Sequence, residues 1–171
     1  MLQPEKWRWK EMELGTVSWH FEETCGRFPD RDAQLFNPEL YNNDGEGRFT
    51  WSQMHERVEL ISCALHAYGV RQSDRVAIMS ESSPYWTQAD MAISHARCVS
   101  VTVFPTLSEK EAGYIIQDSG CRFLFVGDMV ILRRMLPCFT DIPKLERIFL
   151  LDMSYESSDR RVVGLKQLLE E

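Results

Sequence analysis

The sequence has no long apolar segment. None of its apolar runs approaches the roughly 18 residues that a membrane-spanning helix needs. The first residues, MLQPEKWRWKEM, also lack the apolar core and the small-residue cleavage site of a secretory signal. Cysteine is sparse, and the five cysteines form neither a Cys-x-x-Cys pair nor a Cys–His pair at metal-ligand spacing. We therefore expect a cytoplasmic protein without a metal site, whose thiols are reduced and mostly buried.

Glycine and positive charge are also scarce. Only 9 of the 171 residues are glycine, and Gly45 and Gly47 lie in the acidic turn NNDGEG. A loop that cradles nucleotide phosphates uses successive backbone N–H groups and usually a nearby lysine, and this chain has no such stretch. The formal net charge of −7 argues against nucleic acid and anionic membrane surfaces as partners.

The chain does contain a regular alternation of helix and strand signals. Thr50-Trp51-Ser52-Gln53 and Ser108-Glu109-Lys110-Glu111 have the form of capping boxes, and Ser83-Pro84 is typical of a helix start. Gly69 fits the left-handed position after one helix, and Ser119-Gly120 closes another. Strands are predicted at 75–79, 99–104, 123–126 and 148–151, and helices at about 50–68, 83–96, 108–118 and 129–137. This order predicts an α/β fold, a three-layer αβα unit with a mostly parallel sheet.

The N-terminal part is less regular. Residues 1–16 are interpreted as an arm, and residues 17–171 as the α/β unit. A short helix is predicted at 17–28, where Pro29 ends it. Strands at 33–36 and 48–49, on either side of the NNDGEG turn, predict a hairpin with an exposed tip.

Several segments resemble one known family, in the same order. They are FEETCGRFPDRDAQLF, FTWSQMHERVELISCALHAYGV, SDRVAIMSESSPYW, CVSVTVFPTLSEKEAGYIIQDSG and LERIFLLD. Together they resemble the N-terminal region of AMP-forming acyl-CoA synthetases of the adenylate-forming superfamily. The pieces FPTLS and QDSG resemble the long-chain fatty-acid–CoA ligase branch in particular.

The resemblance implies a reaction and a set of ligands. The family converts a fatty acid, ATP and coenzyme A into acyl-CoA, AMP and pyrophosphate, and it uses Mg²⁺. Its phosphate loop ending in Pro-Lys-Gly, its later nucleotide-binding motifs and its mobile C-terminal domain have no counterpart here. We therefore expect this chain to be an N-terminal fragment that is inactive alone, holds no cofactor tightly and contains no catalytic residue.

Two other interpretations are open at this point. The chain could be a stand-alone, non-catalytic module of this fold that binds a ligand or a protein partner. It could also be a generic doubly wound domain of the flavodoxin or response-regulator type. The second alternative predicts a phosphate loop or an acidic pocket after the first strand, where only Glu81 stands.

The resemblance also suggests site residues. Phe104, Pro105 and Thr106 follow a strand at its carboxyl end, where ligands gather in open α/β sheets. In related synthetases this loop lies near the coenzyme A nucleotide, so Phe104 would offer its face to adenine; the alternative is a plain connection with a buried Phe. Tyr85 and Trp86 could line the acyl or the pantetheine channel, but their spacing with later apolar residues favours a core position, with Trp86 on the inner face of the helix.

Three positions depart from the family pattern. Ser73 stands where glycine is usual, and Arg97 and Cys98 stand where small residues, often glycine, are usual. Serine is tolerable at such a turn if the backbone angles are ordinary. The bulk of Arg97 and Cys98 indicates a divergent member whose helix-to-strand packing differs.

The sequence also leads to expectations about the surface of the protein and its partners. A truncated unit should expose apolar surface where the rest of an enzyme packs, which predicts a homodimer or aggregation. The resemblance to enzymes that handle fatty acids leaves peripheral association with the inner face of a membrane open. The four histidines are interpreted as surface or core-edge residues.

Overall fold

Five parallel strands form the centre of the chain, as the computed structural model of residues 15–41, 45–155 and 161–170 describes it. An antiparallel two-stranded hairpin precedes this sheet. The elements in chain order are α1 Val17–Arg27, β1 Asp32–Leu35, a 3₁₀ helix Pro38–Tyr41, β2 Arg48–Thr50, α2 Trp51–Ala67, β3 Arg75–Met79, α3 Pro84–His95, β4 Val99–Val103, α4 Glu109–Ser119, β5 Phe123–Val126, α5 Met129–Thr140, β6 Arg147–Leu150, β7 Val162–Gly164 and α6 Leu165–Glu170.

The strand order in the sheet is β4-β3-β5-β6-β7, and every neighbouring pair is parallel. Ala77 in β3 pairs with Val101 on one side and with Leu124 on the other. From β3 the chain runs outward to β4, then crosses back to β5. The switch point of the topology therefore lies between β3 and β5, and the predicted mostly parallel sheet is confirmed.

Alternate residues of the strands feed two separate cores. In β3, Val76 and Ile78 point toward the layer formed by α1, α2, α3 and α6. Ala77 and Met79 point toward the layer formed by α4 and α5. All four side chains are fully buried, as expected of a central parallel strand covered on both faces. The three-layer αβα arrangement is thus confirmed.

The predicted helix starts are confirmed by hydrogen bonds. The backbone N–H of Gln53 donates to Thr50 Oγ1 at 3.2 Å, and the N–H of Glu111 donates to Ser108 Oγ at 3.4 Å. Both capping boxes are complete, because the side chains of Gln53 and Glu111 accept in return. Ser83 caps α3, with Pro84 at its first position.

The end of α5 was predicted wrongly. The helix was expected to end near residue 137, but α5 continues through Pro137 to Thr140. The helix keeps an apolar inner face beyond the proline, where Phe139 is buried in the core. Packing of that face outweighs the hydrogen bond that proline cannot donate.

The hairpin is confirmed, with β1 and β2 paired antiparallel. The 3₁₀ helix between them was not predicted. Residues 42–44 of the expected exposed tip, and residues 1–14 of the expected arm, lie outside the described residues.

The expectation of mostly buried thiols is wrong. Cys25 and Cys121 are buried, Cys98 and Cys138 are partly buried, and Cys63 is exposed on α2. Among the helices of the described residues, none combines the length and the apolar character that crossing a bilayer requires.

Candidate functional site at the carboxyl edge of the sheet

The loops that follow β3, β5 and β6 enclose a cavity of about 170 Å³ at the switch point of the sheet. This is where ligands bind in open α/β folds. The cavity is lined by residues 80–83 after β3, by Gly127 and Asp128 after β5, by Leu151 and Asp152 after β6, and by Leu40 and Tyr41 of the 3₁₀ helix.

Two of these loops touch. The N–H of Gly127 donates to the carbonyl of Met79 at 3.0 Å, which extends the pairing of β3 and β5 by one residue. A Cβ atom added to Gly127 would overlap the side chain and the backbone of Ser80. The absence of a side chain at Gly127 therefore allows the two loops to meet at the base of the cavity.

The cavity is acidic. Glu81, Asp128 and Asp152 line it, and among the described residues no lysine or arginine does. Asp128 accepts from the N–H of Ile131 at 2.8 Å, so it occupies the N-terminus of α5, which would otherwise attract an anion. Asp152 accepts from the N–H and the hydroxyl of Ser154. This distribution of charge opposes the binding of a phosphate or a carboxylate in the cavity.

The hairpin region holds one wall of the cavity. The Tyr41 hydroxyl lies 3.5 Å from the carbonyl of Ser82, and the amide of Gln34 donates to the carbonyl of Pro84 at 3.1 Å. The Tyr85 hydroxyl lies 3.4 Å from the carbonyl of Tyr41. These contacts tie the start of α3 to a segment about 45 residues earlier in the chain.

Tyr85 and Trp86 do not line this cavity. Tyr85 is 1% exposed and belongs to the core between the sheet and α2. Trp86 is partly buried and packs against the same core, so both aromatic side chains occupy core positions, as their spacing predicted. Their role in an acyl channel stays a prediction.

The loop after β4 presents an aromatic side chain to solvent. Phe104 is 68% exposed, so the alternative of a buried Phe in a plain connection is wrong. The guanidinium of Arg134 in α5 donates to the carbonyl of Pro105. Thr106 is exposed, and the N–H of Leu107 donates back to the carbonyl of Phe104 at 3.2 Å. An arginine therefore supports the loop that carries Phe104 at the carboxyl edge.

A family model agrees with this fold and with the order of its elements. The model of the AMP-binding enzyme family matches residues 21–166, which is most of the chain. The chain belongs to the AMP-binding enzyme family.

Curated relatives of this chain include acyl-CoA ligases. The chain is 23% identical over 142 residues to a long-chain-fatty-acid–CoA ligase, heimdall, of Drosophila melanogaster, an alignment covering 83% of this chain and 21% of that protein. It is 27% identical over 115 residues to the mitochondrial medium-chain acyl-CoA ligase ACSF2 of Homo sapiens, with 67% and 18% covered. The chain thus spans about a fifth of the length of these relatives.

Solved structures share the fold. Coronafacic acid ligase from Pectobacterium brasiliense, in an R395G mutant form, superposes with a TM-score of 0.79 at 14% identity, covering 90% of this chain and 29% of that one. The anthranilate CoA ligase AuaEII, solved with anthranoyl-AMP, gives a TM-score of 0.77 at 19% identity, with 93% and 29% covered.

A partly buried chain of hydrogen-bonded polar side chains was not predicted from the sequence. Arg57 of α2 donates through Nε to Gln88 Oε1 at 2.8 Å, and Gln88 Nε2 donates to Gln34 Oε1 at 2.9 Å. The guanidinium lies between the rings of Phe49 and Tyr85, 4.9 and 5.7 Å from their centroids. Burial lowers the pKa of Arg57. The only sequence signal was a charged residue beside the apolar face of a helix.

The histidines contribute to a second cluster. Glu22 of α1 lies 2.8 Å from His55 Nε2 and 3.3 Å from His95 Nδ1, so its carboxylate bridges α2 and α3. Cys25 lies one turn after Glu22, and burial raises the pKa of its thiol to about 11, which disfavours a nucleophilic thiolate. Within the described parts of the chain, no three His, Cys, Asp or Glu side chains are arranged to hold a metal ion.

Proposed function

We propose that this chain forms the N-terminal portion of an ATP-dependent long-chain fatty-acid–CoA ligase. The reaction consumes a fatty acid, ATP and coenzyme A and yields acyl-CoA, AMP and pyrophosphate. Membership of the AMP-binding enzyme family supports the reaction class. The similarity to a long-chain relative and the segments FPTLS and QDSG support the chain length of the substrate.

In the intact enzyme, this chain would form one wall of the active site and would supply no catalytic residue. The described lining of the cavity at the switch point carries three carboxylates and no lysine or arginine, so ATP phosphates would bind elsewhere in the intact enzyme. The described residues offer no metal-holding cluster, so Mg²⁺ would be held there too. We therefore expect the isolated chain to be inactive.

The coenzyme A side is assigned to Phe104, Pro105 and Thr106. The observation that carries this assignment is an aromatic ring, 68% exposed, at the carboxyl end of a strand. Arg134 lies against the same loop through the Pro105 carbonyl, and Arg133 beside it is exposed. An exposed ring can stack on adenine, and guanidinium groups pair well with phosphates. Phe104 together with Arg133 and Arg134 therefore suits a nucleotide.

The complete product of the gene, with and without Phe104→Ala, tests both parts of this proposal. We expect formation of long-chain acyl-CoA that exceeds formation from medium-chain acids. Loss of a stacking ring costs about 1–3 kcal/mol, so Phe104→Ala should raise the KM for coenzyme A about 5- to 150-fold. Pyrophosphate release from fatty acid and ATP should be unchanged, because this assignment has the ring contact coenzyme A, which takes part only in the later thioester step.

Tyr114→Ala is the matched control, since Tyr114 on α4 is 67% exposed. An equal KM for coenzyme A in all three proteins would overturn the assignment of Phe104. A preference for medium-chain acids would overturn the long-chain assignment. No ligase activity in the complete protein would leave the non-catalytic binding module as the better interpretation.

A further inference from the structure

The helix α1 has few apolar contacts with the rest of the molecule. Of its 11 residues, Phe21 and Cys25 are buried, whereas α2 buries six side chains. An isolated helix of this length is marginal in water, so α1 depends on its contacts with α2 and α3. The side chain of Glu22, next to Phe21, provides polar contacts to both of these helices.

Glu22 divides its two carboxylate oxygens between two histidines. Its Oε2 lies 2.8 Å from His55 Nε2 on α2, and its Oε1 lies 3.3 Å from His95 Nδ1 on α3. Oε1 is buried and has no hydrogen bond within the described structure. A buried carboxylate oxygen without a donor is destabilising, so a proton on His95 Nδ1, the ring nitrogen that faces Oε1, would stabilise the contact.

His55 has a carboxylate oxygen beside each of its ring nitrogens. Its Nδ1 lies 3.6 Å from Oε2 of Glu59, one turn further along α2, while its Nε2 contacts Glu22. A neutral imidazole has one N–H and one lone pair, so one of its nitrogens would direct a lone pair at a carboxylate. An imidazolium has an N–H on both nitrogens. The surroundings of His55 therefore suit its protonated form.

The other groups beside Glu22 do not change charge near neutral pH. Burial raises the pKa of the Cys25 thiol to about 11, so this thiol stays neutral below pH 8. Carboxyl groups ordinarily ionise near pH 4, whereas histidines ordinarily change charge between about pH 5 and pH 8. Of the groups that face Glu22, His55 and His95 are therefore the two that titrate in this range.

We propose that Glu22, His55 and His95 form a proton-dependent clamp that holds α1 against α2 and α3. When the histidines are protonated, each faces the Glu22 carboxylate as an opposite charge, and when they lose their protons this attraction is lost. Docking of α1 is thus coupled to proton uptake, so α1 is held more tightly at about pH 5.5 and separates more often toward pH 8.

The expected effect is moderate. The side chains of Glu22, His55 and His95 are 27–41% exposed. An ion pair with this exposure changes an equilibrium by up to about fivefold. With two pairs acting on α1, we expect its opening equilibrium to change about three- to tenfold across the histidine range.

Amide hydrogen exchange of the 171-residue chain between about pH 5.5 and pH 8 tests the clamp. Protection factors remove the intrinsic effect of pH on exchange, and the amides of β5, a fully buried strand, serve as the reference. Relative to β5, the protection of amides 21–27 should fall about three- to tenfold as the pH rises. Amides of α1 exchange when the helix separates, because it is marginal alone.

Glu22→Gln keeps the size of the side chain and removes its charge. It should lower the protection of α1 at about pH 5.5 and leave less than about a twofold change across the range. Glu23→Gln is the matched control, because it removes the same charge from the exposed neighbouring residue, and it should keep the wild-type profile. His55→Gln combined with His95→Gln removes both titrating groups and should also flatten the profile. Circular dichroism checks that each variant folds.

A wild-type protection of α1 that is constant with pH, or that rises with pH, would overturn the proposal. So would a wild-type profile that persists in Glu22→Gln or in the double histidine variant. A flat profile in Glu23→Gln would also contradict it, since the net charge of α1 rather than the contacts of Glu22 would then set the dependence.

Discussion

Ser73 and Arg97 hold the backbone in the left-handed region, with φ of 69° and 58°. They are the non-glycine residues with positive φ in the described chain, and the carbonyl of Arg97 accepts the N–H of Ser73 at 2.9 Å. The two turns that lead into β3 and β4 are therefore strained side by side. Side chains disfavour this conformation because Cβ approaches the neighbouring carbonyl oxygen.

Replacement of either residue by glycine should stabilise the protein. The left-handed conformation costs a residue with a side chain about 1–2 kcal/mol. Relieving that cost stabilises the fold, but glycine also makes the unfolded chain more flexible, which offsets about 0.5–1 kcal/mol of the gain. We expect Ser73→Gly and Arg97→Gly each to raise the free energy of unfolding by about 0.5–1 kcal/mol in urea denaturation.

Ser73→Ala and Arg97→Ala are the controls, because alanine keeps the Cβ atom. They should bring no gain. Glycine variants no more stable than the alanine variants would show that these turns are not strained.

The sequence indicated these two positions but not their geometry. Comparison with the family pattern marked Ser73 and Arg97 as replacements for glycine or small residues. Serine was expected to be tolerable at position 73 only if the backbone angles there are ordinary, and the φ of 69° shows that this condition is not met. Backbone angles at a turn depend on where the next strand must begin, which the side chain alone does not specify.

At the scale of helices and strands, the two capping boxes differ in one chemical respect. The box at Thr50 is closed by the neutral side chain of Gln53, and the box at Ser108 by the carboxylate of Glu111. Hydrogen bonds from the hydroxyl and the N–H of Ser108 lower the pKa of Glu111. A carboxyl group whose pKa is lower in the folded state stabilises the fold at neutral pH, and this contribution disappears as pH falls through that lowered pKa.

Thr50→Ala and Ser108→Ala should each cost about 1 kcal/mol of unfolding free energy at pH 7, the usual effect of removing an N-cap. For Ser108→Ala, the loss should shrink as the pH falls below 4.5, the ordinary pKa of Glu111. The loss for Thr50→Ala should stay constant, because Gln53 does not titrate. Denaturation of both variants and the wild type across this pH range checks the difference, and identical pH profiles would contradict it.

Most elements could be predicted because local signals and tertiary packing agree. Ser83-Pro84 and the capping boxes fixed helix starts, and buried runs such as 123–126 fixed central strands. The predicted end of α5 near Pro137 was wrong because the inner face of the helix is apolar on both sides of the proline. The exposure of β4 also could not be predicted, since an edge strand and a central strand can have the same composition.

At the scale of the whole molecule, contacts distant in sequence could not be predicted. Gln34, Arg57 and Gln88 come from β1, α2 and α3, and the three meet in one hydrogen-bonded chain. Arg134 likewise contacts the Phe104 loop through Pro105, which lies 29 residues earlier in the sequence. Each partner looks like an ordinary surface residue in its own segment, so the pairing becomes visible only once the layers are assembled.

The hydrogen-bonded chain Gln34–Gln88–Arg57 ties β1 of the hairpin to α3 and α2, and Arg57→Met should therefore destabilise the protein. Gln88 is 0% exposed, so loss of its donor leaves Gln88 Oε1 buried and unpaired. Hydrogen bonds to charged groups contribute about 1.5–3 kcal/mol, and we expect a loss of about 2 kcal/mol in urea unfolding. Arg133→Met, at an exposed arginine of α5, should change stability by no more than about 0.5 kcal/mol.

A double-mutant cycle shows whether the two residues act as a pair. Gln88→Leu alone leaves the half-buried guanidinium of Arg57 without its acceptor, so it should also be destabilising. In Arg57→Met combined with Gln88→Leu, neither group remains to be left unpaired. The double variant should therefore lose less than the sum of the two single losses, by about 1 kcal/mol or more. Strictly additive losses would mean that Arg57 acts through its packing between Phe49 and Tyr85 rather than through Gln88.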